Sequence, residues 1–242
     1  MSAVRRACVV TLVGIGLLSA SPALASGSRG FSPNRRVHYG VSTNWAGYAV
    51  TGSGPYTTVS ASWTQTSVNC ATTPSGFSSF WVGLDGDTSK TVEQTGTEAN
   101  CSGGSASYGA WYEMFPKRPV SYPDLVLPGD SFTASVTSLS KGRFQLALSD
   151  TTRGWSHTTL QKKRGDKLAS AEVIAEAPST RHSVLPLADF GTLSFSGATV
   201  NGSLLTSSTP GIEPLTMQSG KTVKASVSAL SSGAFSATWQ HE

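Results

Sequence analysis

Phe80-Trp81-Val82-Gly83-Leu84-Asp85 is a run in which every second residue is a large apolar one. In an extended chain successive side chains point to opposite faces, so Phe80, Val82 and Leu84 share one face and Trp81, Gly83 and Asp85 the other. The same period recurs on both sides. Val59, Ala61 and Trp63 alternate with Ser60, Ser62 and Thr64. Phe132, Ala134 and Val136 follow the rule, as do Phe144, Leu146 and Leu148, then Val223, Ala225, Val227 and Ala229, and finally Phe235, Ala237 and Trp239. Turn residues separate these runs, and helical spacing is nearly absent. With 13% charged residues and 25 glycines, the pattern predicts an all-β chain, an antiparallel β-sandwich or barrel. No internal repeat or long linker divides it, so one domain is expected over 41–242.

The residues on the other face are unusual for a plain wet surface. Trp111, Glu113 and Phe115 alternate with Ala110, Tyr112 and Met114. Glu172, Ile174 and Glu176 point away from Val173 and Ala175. Carboxylates and aromatics on one face predict a groove across the sheet, or a solvated face with scattered aromatics. The Val92-Glu93-Gln94-Thr95-Gly96 stretch adds an uncharged amide. An amide from that stretch and a carboxylate from Ala171–Glu176 together supply what peptide hydrolysis needs without serine, cysteine or metal: a base for water and a donor for the oxyanion.

The N-terminus is set aside. Arg5-Arg6, an apolar run from Ala7 to Leu18 and Ala23-Leu24-Ala25 describe a secretory signal over residues 1–25; the run is short for a membrane anchor. Residues 26–40 read as a linker, a short propeptide or a flexible terminus. Without residues 1–25 the formal charge falls from +4 to +2, which gives little reason to expect a nucleic-acid partner. The Lys162-Lys163-Arg164 cluster reads as a solvated loop. Cys8 lies in the signal, leaving Cys70 and Cys101 as an even pair in an oxidising compartment, hence a disulfide. His38, His157, His182 and His241 show no ligand spacing, so no metal is expected. The Asn100-Cys101-Ser102 and Asn201-Gly202-Ser203 sequons are short patterns best explained by chance.

Five motifs in order resemble a known family: Asn44-Trp45-Ala46-Gly47-Tyr48, Phe80 through Asp87, Glu93-Gln94-Thr95-Gly96, Ala110-Trp111-Tyr112-Glu113-Met114-Phe115-Pro116 and Ala171-Glu172-Val173-Ile174-Ala175-Glu176. Their order and spacing are similar to those of the glutamic peptidases, the eqolisin family, known mainly from secreted fungal acid proteases. The resemblance implies a sandwich of two antiparallel lectin-like sheets (jelly-roll, concanavalin-like) with the active site on the concave face of one. It implies Gln94 and Glu176 as the catalytic pair, with Trp45, Trp81, Asp85, Trp111 and Glu113 lining or supporting the site. Activity at acid pH and resistance to pepstatin come with it. Glu172 is four residues from Glu176, roughly 13 Å along one strand, and is expected as a supporting or rim residue. Where relatives often carry tryptophan, this chain has Met114 and Val173, both at core-facing positions.

The expectation is therefore a secreted monomer that takes protein or peptide substrates. No cofactor is expected, no nucleic acid, and no membrane contact after signal cleavage. In the proposed chemistry an ionised glutamate near its ordinary pKa takes a proton from water, and the Gln94 amide, which does not titrate, holds the oxyanion. Two rivals use the same scaffold. A glycoside hydrolase would pair strand-borne glutamates such as Glu113 and Glu176. A non-catalytic carbohydrate- or protein-binding module would use Trp45, Trp81 and Trp111 as a stacking platform.

Overall fold

The protein is described by a computed structural model covering residues 40–242. The expected signal and all of the expected linker except Gly40 lie outside the described residues. Among those residues there are strands and turns but no helix.

Two layers of antiparallel strands face each other. One contains, in spatial order, β10 (Trp155–Lys162), β9 (Arg143–Asp150), β8 (Ser131–Leu139), β3 (Thr58–Thr64), β12 (Thr192–Val200), β16 (Phe235–Trp239) and β15 (Thr222–Val227). The other contains β2 (Trp45–Thr51), β11 (Ser170–Glu176), β4 (Phe77–Leu84), β5 (Val92–Ser102), β6 (Ser105–Phe115) and β7 (Val120–Tyr122). Strand β14 (Ile212–Ser219) joins the layers: Ile212 to Leu215 pair with β2, and Met217 to Ser219 pair with β15. The short β1 (Val41–Ser42) runs parallel to β14, and β13 (Ser203–Leu204) pairs with β12.

The core between the layers is the alternation made solid. Phe80, Val82 and Leu84 of β4 and Val173 and Ala175 of β11 meet Val59, Ala61 and Trp63 of β3. Phe132, Ala134 and Val136 of β8 and Phe144, Leu146 and Leu148 of β9 join the same cluster. Met114 and Val173 lie in this core as expected, so the tryptophan replacements affect packing between the sheets. Burying each such side chain is worth roughly 1.5–3 kcal/mol, which is why the period-2 pattern dictates the architecture.

The expected disulfide is present, joining Cys70 in the loop after β3 to the buried Cys101 in β5 across 31 residues. The backbone N–H of Cys101 also donates to Gly76 at 2.8 Å, pinning the same loop. Cys70→Ser paired with Cys101→Ser should lower unfolding stability by about 3–4 kcal/mol, read as a shift of the urea midpoint at constant m-value. Asn201 of the second sequon has a structural use: its Oδ1 accepts from the Thr57 N–H at 2.7 Å and its Nδ2 donates to Pro55 at 3.1 Å.

Candidate active site

The face of β2, β11, β4, β5 and β6 turned away from the core is built in rungs fixed by strand register. Ala49, Glu172, Gly83, Gln94 and Glu113 form one rung. Gly47, Ile174, Trp81, Gly96 and Trp111 form the next, and Trp45, Glu176, Ser79, Glu98 and Gly109 the third. A second apolar cluster, containing Trp45, Trp81, Trp111, Val92 and Ile174, lies on this face and is distinct from the core between the sheets.

Gln94 and Glu176 stand on different strands and two rungs apart, with Trp81 on the rung between them. Trp81 donates its Nε1–H to Glu176 Oε2 at 2.7 Å. The other end of its ring lies over Gly83: a Cβ added there would fall 2.9 Å from Trp81 Cζ3 and 3.2 Å from Gln94 Cβ. Glycine at 83 is what lets the ring lie along the strand beside Gln94. Asn44 Nδ2 donates to the other oxygen of Glu176 at 2.9 Å. Trp45 packs edge-on against Trp81 with ring centroids 5.2 Å apart.

Gln94 Nε2 donates to Glu113 Oε2 at 2.6 Å. That bond sets the amide orientation, and the Gln94 carbonyl oxygen makes no hydrogen bond within the protein. Glu113 is held well above the ordinary carboxylate range, chiefly by burial. The Gln94 hydrogen bond opposes the shift, the Glu176 carboxylate adds to it and Lys163 reduces it. Burial pushes Glu176 up to about 8, against the opposing effect of the Trp81, Trp45 and Asn44 donors. The Trp45 N–H acts there without reaching good hydrogen-bond geometry.

Several expectations need correction. The trough is covered, not open: Gln94, Glu113, Glu172 and Glu176 are all buried. At the Glu172 end lies the turn after β4, where Asp85 takes a positive φ of 58° and Gly86 one of 147°. The chain folds back so that a Cβ on Gly86 would meet the Trp45 ring at 3.1 Å and Val92 at 2.9 Å. Asp87 then donates its backbone N–H to Glu172 Oε1 at 3.3 Å. Asp85 leaves the trough face, because its carboxylate accepts the backbone N–H groups of Lys167, Leu168 and Ala169 at 2.8–2.9 Å. It anchors a neighbouring loop. Glu172 is no rim residue; it is fully buried and raised well above the ordinary range by burial, with Asp87 and Asp85 adding to the shift. Glu176 likewise departs from the ordinary pKa expected for it. Lys163 is not simply solvated, since its Nζ donates to the Phe115 carbonyl.

The alternation of Trp81, Trp111, Glu113, Glu172 and Glu176 onto this face is as the sequence predicts, and strand register brings Trp45 beside Glu176. Three residues were missed as individuals. Asn44 holds Glu176 from a position just before β2. Ser79 and Glu98 belong to the same face by simple parity with Trp81 and Gln94, a signal that was available.

The Peptidase A4 family model matches residues 43–239. The chain belongs to the peptidase A4 family. Aspergillopepsin-2 from Aspergillus niger is 33% identical over 180 residues, covering 65% of this chain and 64% of that protein. Scytalidopepsin B from Scytalidium lignicola is 34% identical over 128 residues, covering 51% of this chain and 47% of that protein. This A4-family chain thus spans less than two thirds of the length of either relative. Among solved structures, a scytalido-glutamic peptidase with a transition state analog inhibitor superposes with a TM-score of 0.69 at 23% identity, covering 82% of this chain and 98% of that one. The aspergilloglutamic peptidase from Aspergillus niger gives a TM-score of 0.59 at 28% identity over 68% of this chain and 99% of that one. These likenesses give the A4-family chain a glutamic-peptidase β-sandwich fold.

Proposed function

We propose that this chain is an exported endopeptidase that hydrolyses protein substrates in acid, with Glu176 as general base on water and Gln94 as oxyanion donor. What carries the reading is the placement of both groups on one face, two rungs apart, with Trp81 on the rung between them. Trp81 donates to the Glu176 carboxylate, and the far end of its ring and the Gln94 Cβ border the same space over Gly83. A carbonyl entering between them meets an amide N–H whose orientation Glu113 has already fixed. Preorganised donors of this kind act where charge develops, at no cost of reorientation during the reaction.

The raised pKa of Glu176 refines the mechanism. In the covered trough Glu176 is mostly protonated in acid, so the base is a small ionised fraction of high intrinsic basicity. Water and substrate entering the trough restore part of the solvation that burial removed, and the Asn44 and Trp81 donors then favour the anion. The proton taken from water passes to the leaving amine. Glu113 positions Gln94 and lowers the chance of a second negative charge beside Glu176 by staying neutral. Trp45, Trp111 and Glu172 shape the trough, Glu172 by fastening the Asp87 turn over it.

Export is supported by the signal-like N-terminus and by the Cys70–Cys101 disulfide. The glycosidase rival is weakened because Glu113, the carboxyl it would pair with Glu176, is committed to the Gln94 amide.

The deciding assay is release of acid-soluble peptides from casein or haemoglobin across about pH 2–7, with β-glucans tested in parallel. Turnover of the proteins on the acid side, insensitive to pepstatin, is the expected result. Glucan hydrolysis without proteolysis would overturn the proposal.

A further inference from the structure

Strand β10 is the outermost strand of the layer opposite the trough, yet alternate side chains from 157 to 163 tie it to the trough layer. His157 Nε2 lies 2.6 Å from Asp124 Oδ2, just beyond β7, and Thr159 Oγ1 shares a hydrogen bond of 2.9 Å with the Tyr122 hydroxyl of β7. Gln161 Nε2 donates to the Tyr112 hydroxyl of β6 at 3.3 Å, and Lys163 Nζ donates to the Phe115 carbonyl at the end of β6. The backbone of Lys163 is itself fixed, its N–H donating to the Gly142 carbonyl in the turn between β8 and β9 at 2.9 Å. A side chain anchored in one layer thus holds the end of β6 in the other, two residues after Glu113. Glu113 is the group that orients the Gln94 amide.

Beside this contact lies an acceptor that is not in use. Val92 pairs with Phe115 and Glu93 with Met114, so Glu93 stands one step along the ladder from the tethered carbonyl. It is fully buried, and neither of its carboxyl oxygens has a hydrogen-bond partner. The charges of Glu93 and Lys163 act on each other. The other charged groups facing the pair are Asp85 from the turn after β4, Asp166 from the loop after β10 and, toward Lys163, Lys117 from the loop after β6. Burial raises Glu93 to about 8, so in acid it is neutral and does not compete for the ammonium. Once ionised it is a stronger acceptor than a carbonyl, and a buried carboxylate left unpaired is costly.

We propose that Lys163 is a positioning residue for the Gln94–Glu113 pair, acting through the end of β6, and that ionisation of Glu93 draws it off the Phe115 carbonyl. The effect on catalysis rests on the peptidase reading above; the exchange of partners does not. In acid the ammonium holds the end of β6 and the Gln94 amide keeps its aim. As pH rises through the Glu93 ionisation, the ammonium turns to the carboxylate and the end of β6 loses its tether.

Two measurements test this. The first is kcat and KM on a protein substrate in acid for wild type, Lys163→Met and Lys163→Arg. Methionine keeps an apolar stem and removes the donor. Lys163→Met should lose about tenfold or more in kcat, because a small misplacement of a catalytic group is costly, while KM stays nearly unchanged. Lys163→Arg should recover most of the loss. The second is the carbon-13 shift of the Phe115 carbonyl, followed by NMR from about pH 5 to about pH 9. In wild type it should move as Glu93 ionises, and in Glu93→Gln it should stay at its acid value. Wild-type kcat in Lys163→Met would overturn the positioning role. A Phe115 signal that stays fixed in wild type, or moves as far in Glu93→Gln, would overturn the exchange. Absence of proteolysis by wild type would remove the peptidase reading and the positioning role with it, and the carbonyl shift would still decide the exchange.

Discussion

Glu176→Gln should lower kcat on a protein substrate by about 100- to 10,000-fold, the usual contribution of a positioned proton-transfer group. The amide keeps the shape of the side chain but cannot accept a proton from water. Its NH2 must also face one of the two donors that now hold the carboxylate, Asn44 Nδ2 or Trp81 Nε1. A modest loss of stability in acid accompanies the loss of activity, of about 1–3 kcal/mol for one opposed buried donor. Circular dichroism at the assay pH separates the two effects. Gln94→Ala should cost about 100- to 1,000-fold in kcat, the scale of a lost oxyanion donor. The double variant should be little worse than the poorer single, since residues acting on one transition state are not additive. Single variants that stay folded and keep wild-type turnover would show that the pair has been misassigned.

The largest stability effect is expected at a residue outside the trough chemistry. Glu93 faces the opposite side of β5 from Gln94, is fully buried, and neither of its oxygens has a hydrogen-bond partner. Burial pushes its pKa from an ordinary 4.5 up to about 8, with the Asp85 charge adding to the shift and Lys163 opposing it. The folded state therefore holds the proton more tightly than the unfolded chain. Its contribution to stability is complete below about pH 4.5 and is lost as pH rises toward 8. Glu98, Glu113, Glu172 and Glu176 are shifted in the same direction, so the wild-type fold should weaken from acid to neutral pH. Glu93→Gln removes one such ionisation. It should be near neutral in effect at about pH 4 and stabilising by roughly 3–5 kcal/mol at about pH 8. Urea midpoints of wild type and variant at the two pH values measure this directly. A variant whose gain is the same at both would mean that Glu93 does not ionise across that range in the folded protein. Destabilisation on ionisation also bears on function, because a chain built this way resists acid and unfolds away from it.

The same residues mark how far the sequence could be read. Face assignment was legible because it depends only on neighbours two positions apart. Trp81, Trp111, Glu113 and Glu172 fall where parity put them, as do the core positions Phe80, Val82 and Val173. Asp85 broke the rule although parity placed it beside Trp81. Its positive φ ends the strand one residue early, and three backbone N–H groups from a distant loop claim its carboxylate. Nothing local in Leu84-Asp85-Gly86 names those partners. Lys163 misled for the same reason, since its partner, the Phe115 carbonyl, lies 48 residues away.

By itself the sequence determined the layered β architecture, the disulfide partners and the face on which each trough residue stands, because period-2 hydrophobicity and a lone cysteine pair admit few alternatives. Only the tertiary structure decided which rungs align, that Trp81 stands between Gln94 and Glu176 and donates to the latter, and that the Asp87 turn is fastened to Glu172. It also decided the protonation of the buried glutamates. Those properties depend on strand register and on the exclusion of water by segments far apart in the chain, and an isolated stretch of sequence encodes neither.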